Sequence, residues 1–116
     1  MARVNVQIEW PDPGEALPVG TRAWVTVEDV TRADESAVVI AETFLEDPPT
    51  DEVAVAEVEV GEVDPRADLT VRVHVIGPGR ETRDVEAGDL ISTQSYPVLT
   101  HGHGDSVVVR PRVVGP

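Results

Sequence analysis

The chain has 116 residues, with 23 valines and only Trp10, Trp24, Phe44 and Tyr96 as aromatics. That is enough for a single domain spanning 1–116, and branching at Cβ disfavours helix and suits a pleated sheet. Nine arginines, no lysine and 22 acidic residues leave a net charge of −13, which repels phosphate backbones and anionic lipid surfaces and argues against a nucleic-acid partner. The absence of cysteine excludes a disulfide, a thiolate zinc site, a cysteine nucleophile and a cysteine-linked lipid within these residues.

The first element is read from Val4, Val6 and Ile8 alternating with Asn5, Gln7 and Glu9, and Pro11, Pro13 and Gly14 end it. Arg22 to Asp29 follows, with Ala23, Val25 and Val27 on one face and Trp24, Thr26 and Glu28 on the other. Asp34 to Ala37 has room for one helical turn. Val38 to Leu45 is apolar almost throughout, which predicts a third strand covered on both faces and stopped at Asp47-Pro48-Pro49. A fourth runs from Val53 to Val60. Leu69 to Ile76 turns Leu69, Val71, Val73 and Val75 inward and Thr70, Arg72 and His74 to solvent, before Gly77-Pro78-Gly79. After the charged loop Arg80 to Asp89 come strands from Leu90 to Tyr96 and from Val107 to Val114, the last interrupted by Pro111, which marks an edge or a bulge.

Seven short strands separated by turn signals, with little or no helix, predict an all-β fold: a roughly antiparallel, seven-stranded β-sandwich. No apolar stretch of the ~18 residues needed to cross a bilayer is present, so no membrane insertion is expected.

Chemistry is sparse. His101-Gly102-His103-Gly104-Asp105 offers a bare three-ligand set for a metal through His101, His103 and Asp105, against the simpler reading of a solvated, Gly-rich turn. His74, on the polar face of its strand, reads as exposed. Ser36, Ser92, Ser95 and Ser106 lie in no Gly-x-Ser-x-Gly elbow, and only His103 lies close in sequence to a serine. Acid pairs such as Glu57 and Glu59, or Asp51 and Glu52, are expected by chance among so many carboxyls and read as solvated. Gly77-Pro78-Gly79 lacks the helix and the Gly-Lys-Ser/Thr element of a phosphate cradle. No catalytic residue and no cofactor are implied.

Glu28-Asp29-Val30-Thr31-Arg32-Ala33-Asp34, then Val39-Ile40-Ala41-Glu42, Val63-Asp64-Pro65-Arg66 and Tyr96-Pro97-Val98-Leu99-Thr100 resemble the YbaY/YscW family, from about Ala23 to Val114. These are small bacterial envelope lipoproteins, among them the pilotin, or secretin-targeting chaperone, of type III secretion. The resemblance implies a β-sandwich with a non-enzymatic, accessory role and transfers no binding residue. Its motifs are turn and strand-entry signatures: Asp29 and Asp34 are expected to bond nearby amides, Arg32 to pair with either, and Tyr96-Pro97 to fix the exit from the sixth strand. The chain departs from the family in lacking a signal-peptide pattern and a lipobox cysteine, so as written it reads as cytoplasmic where the family is envelope-anchored. Its Arg80 to Asp89 loop is also longer and more charged.

The expected role is a protein-interaction domain that docks a protein or peptide partner against a sheet face or an edge strand. Trp24 marks the surface if it stands exposed among apolar neighbours, and is otherwise packed in the sandwich or beneath the Arg80 to Asp89 loop. The alternative is a small-ligand or metal-binding module built on His101, His103 and Asp105.

Overall fold

A computed structural model describes residues 2–32 and 34–115. Eight strands follow in order: β1 (Ala2–Ile8), β2 (Arg22–Asp29), β3 (Val38–Glu46), β4 (Ala54–Gly61), β5 (Leu69–Ile76), β6 (Leu90–Ile91), β7 (Ser106–Val109) and β8 (Arg112–Val113). They make two sheets, ordered β4-β1-β7 and β3-β2-β5-β6-β8. Pairing is antiparallel except between β1 and β7, which run parallel.

Alternation decides which side of each ribbon is inside. Val4, Val6 and Ile8 of β1 and Ala54, Ala56 and Val58 of β4 are buried against Ala23, Val25 and Val27 of β2 and Leu69, Val71, Val73 and Val75 of β5. The register sets Val25 opposite Val73 and Val6 opposite Ala56, so one side of each sheet is continuously apolar. Each fully buried valine contributes about 2 kcal/mol from removal of apolar surface from water. Trp10, Leu90, Tyr96, Val98 and Val109 belong to the same buried core.

The last predicted strand proves to be two, one in each sheet. β7 pairs with β1, and β8 pairs with β6 of the other sheet. Pro111 is the crossing point, fully buried and without an N–H to leave unpaired. The hydroxyl of Tyr96 accepts the N–H of Arg110 at 3.0 Å and the side-chain amide of Gln94 at 3.1 Å, which fixes the crossover.

Three further local expectations are corrected. β3 is an edge strand, not a strand covered on both faces, and Val38, Val39 and Ile40 stand 61%, 50% and 40% exposed. A register shift leaves Ile40 unopposed, because Val27 pairs with Ala41 and Glu28 with Val39. The sixth strand stops at Ile91: the hydroxyl of Ser92 takes the N–H of Val73 at 3.1 Å in place of a backbone carbonyl, and the chain returns to β5 at an isolated bridge between Pro97 and Thr70, where the Tyr96 N–H also bonds the Thr70 hydroxyl at 2.9 Å. At Asp34 to Ala37 there is no helix: Asp34 lies in a single hydrogen-bonded turn, closed by the N–H of Glu35 on the carbonyl of Arg32 at 3.2 Å, and a bend at Glu35 follows.

Candidate functional site

Alternation sends Trp24, Thr26 and Glu28 to the outer face of the five-stranded sheet, and the register places Phe44 and His74 on either side of Trp24. The Trp24 and Phe44 rings are 4.8 Å apart, tilted by 42°. Over Trp24 folds the Arg80–Asp89 loop. The Arg83 guanidinium lies 3.9 Å from the Trp24 ring centroid, and its Nη1 donates to Glu42 Oε2 at 3.0 Å. Arg22 covers the Phe44 ring in the same way, at 5.1 Å. Trp24 is therefore half-buried beneath the loop, whereas Phe44 is exposed.

The loop is held at its ends by a buried carboxylate. Asp89 accepts from Arg80 Nη1 at 2.7 Å, from His74 Nε2 at 2.8 Å and from the Glu86 N–H at 3.0 Å. Burial works against ionisation of Asp89, but the bonds from Arg80, His74 and the Glu86 amide outweigh it and hold the carboxyl at about 2, below its ordinary 3.8. The same Asp89 contact raises Arg80 further. His74 is thus not exposed, as its place on a polar face suggested, but buried at 8% exposure by the loop that crosses it.

Two clefts flank the Arg83–Trp24 stack. One, of 450 Å³, is lined by Arg22, Glu46, Gly77, Pro78 and the start of the loop; the other, of 190 Å³, by Thr26, Glu28, Val39, Arg72 and His74. Trp24 and Arg83 line both. Glu28 is 8% exposed in the smaller cleft, and among the described residues its carboxyl bonds only to the Thr26 hydroxyl, at 2.8 Å. Arginine and aromatic side chains thus lie together on this face, with the carboxyls of Glu28, Glu42 and Glu46 beside them.

Elsewhere the candidate residues are dispersed. His101 lies 2.9 Å from Asp68 and His103 is exposed, while Asp105 is engaged through its carbonyl with the Asn5 N–H at 2.7 Å. Among the described residues, no group of three or more His, Asp or Glu side chains is placed to hold a metal ion. The hydroxyls of Ser92 and Ser95 meet Val73 and Thr70.

The signature turns brace a corner. Asp29 accepts the Thr31 hydroxyl and its N–H, the first and then the second of which lower its pKa. Thr31 Oγ1 in turn accepts the Asp68 N–H at 3.0 Å, and Asp64 accepts the Arg66 N–H at 2.9 Å. Arg32 pairs with Glu35 at 3.3 Å, not with Asp29.

The fold resembles that of a secretion pilotin. A solved structure of an alternative pilotin from the type II secretion system of Vibrio cholerae superposes with a TM-score of 0.68 over 97% of this chain and 97% of that one, at 15% sequence identity. At that identity the likeness is one of fold. No protein-family model matches the sequence, and no curated protein does so either.

Sequence reasoning missed Asp89. The only available signal was His74 pointing outward two strand positions from Arg72, in a chain whose next loop opens with Arg80 and closes with Asp89.

Proposed function

We propose that this protein is a non-catalytic accessory domain of the pilotin kind, which works by binding another protein of a secretion apparatus. The observation that carries this reading is the whole-chain likeness to the V. cholerae alternative pilotin, which covers both chains almost end to end. The YbaY/YscW resemblance of the turn signatures points the same way and adds an envelope setting. The interaction surface in this reading is the outer face of the five-stranded sheet around Trp24, Phe44 and Arg83, where aromatic and guanidinium groups concentrate on an otherwise acidic molecule. Such groups supply most of the binding energy at protein interfaces.

The test is affinity capture of the tagged protein from its own cells under native conditions, with the bound proteins identified by mass spectrometry. A component of a secretion apparatus is expected, and its recovery is expected to fall with Phe44→Asp. Enrichment only of proteins unrelated to secretion would contradict the reading.

A further inference from the structure

We infer that Trp24 and Glu42 form a seat for a guanidinium group, which Arg83 occupies in the free protein and which an arginine of an extended, basic partner segment takes in the complex. This deepens the accessory reading above and rests on it, since it states what kind of partner the same face receives.

Three observations lead here. The seat already displays its preference: an aromatic floor at 3.9 Å and a carboxylate wall at 3.0 Å hold Arg83. Arg83 is also the middle of a loop whose ends are pinned independently through Arg80, Asp89 and His74, so it can leave Trp24 without undoing the anchor. Finally, the Arg83–Trp24 stack is what separates the two clefts. Moving Arg83 aside joins them into one trough running along the outward side chains of β2, from Arg22 past Trp24 to Glu28.

The chemistry of the trough selects its occupant. Arg72 and His74 line the smaller cleft and Arg22 the larger, so the preference for a basic side chain rests on the Trp24–Glu42 seat and, beside it, on Glu28, which is 8% exposed and bonded only to Thr26 among the described residues. A net charge of −13 draws cationic segments toward the molecule and repels acidic ones, including a second copy of itself. An extended segment presents successive side chains to alternate sides, so arginines at every second position would face β2 together. Arg83 is then a built-in competitor that lowers the apparent affinity until a partner displaces it.

The experiment uses the full chain and two capped hexapeptides, one alternating arginine with valine and the other glutamate with valine. Binding is followed by calorimetry and by the NMR signals of the Trp24 indole N–H and the β2 and β3 amides. The arginine peptide is expected to saturate and to shift the Trp24 signal, the glutamate peptide to do neither. Arg83→Ala is expected to tighten binding about threefold or more, the fold-change equivalent to losing a surface cation–π contact from the free state. Glu28→Gln and Glu42→Gln are expected to weaken it. Arg83→Gln and thermal unfolding of each variant separate competition from damage to the fold. The inference is overturned if the arginine peptide fails to bind, if its shifts fall away from β2 and β3, or if folded Arg83→Ala and Arg83→Gln bind no tighter. The accessory reading survives any of these if the captured secretion component is still bound by the same variants.

Discussion

Asp89 receives Nε2 of His74 at 2.8 Å, and this bond ties the end of a long surface loop to the middle of a central strand. With its carboxyl ionised, Asp89 can only accept, so the proton lies on Nε2. Arg80 completes the clamp from the other end of the loop. Removing the carboxylate takes the acceptor from three donors, His74 Nε2, Arg80 Nη1 and the Glu86 N–H. Asp89→Ala is therefore expected to destabilise the protein by about 3 kcal/mol, measured by chemical denaturation, and to free the loop from Trp24. The accompanying sign is a shift of Trp24 fluorescence toward that of a solvated indole.

The same clamp sets a pH dependence. The carboxyl of Asp89 is depressed from 3.8 to about 2, so its stabilising contribution is fully present above about 3.8 and disappears as the pH falls through about 2. The shift corresponds to about 2 kcal/mol. Denaturation curves recorded from pH 6 down to 2 should show this loss in the native sequence, and a shallower acid limb in Asp89→Asn.

The strand elements were legible because apolar residues, mostly valine, recur along them: β1, β2, β4 and β5 lie where Val4–Ile8, Arg22–Asp29, Val53–Val60 and Leu69–Ile76 indicated, although in β4 it is Ala54, Ala56 and Val58 that face inward while Val53 and Val55 are exposed. What stayed hidden depends on contacts distant in sequence. Nothing local distinguishes Val38-Val39-Ile40 on an exposed edge from the same residues in a covered strand, because the edge is defined by the absence of a neighbour. Pro111 signalled an interruption, but not that the chain there changes sheets. His74 alternates like any solvent-facing residue, and only the fold of the loop above buries it. For the candidate site, Trp24 was legible as a residue of interest, whereas Arg83, Glu42 and Phe44 reach it only through strand pairing and loop closure.

Burial on the two kinds of strand gives a direct comparison. Val73 is fully buried at the centre of β5, and Val73→Ala is expected to cost about 2 kcal/mol through lost apolar contact and residual cavity. Val39, half exposed on the edge strand, is expected to tolerate Val39→Thr within about 0.5 kcal/mol. Equal losses at the two positions would show that β3 is covered after all.

Tyr96 is the lock on the sheet crossing. Tyr96→Phe deprives the Arg110 N–H of its acceptor beside the buried Pro111, and a loss of about 1–2 kcal/mol is expected on thermal or chemical unfolding. Gln94→Ala removes only the other, part-exposed bond to that hydroxyl and is expected to matter much less.

The central claim is that the partner is received on the outer face of the five-stranded sheet. The most direct measurement places a photo-crosslinking amino acid at Phe44, exposed beside Trp24, and in a second version at His103, exposed on the distant Gly-rich turn, each in the native cell. The expected result is a single discrete adduct from position 44, mapped to an arginine-bearing extended segment, and none from position 103. A discrete adduct from position 103 with none from position 44 would contradict the account.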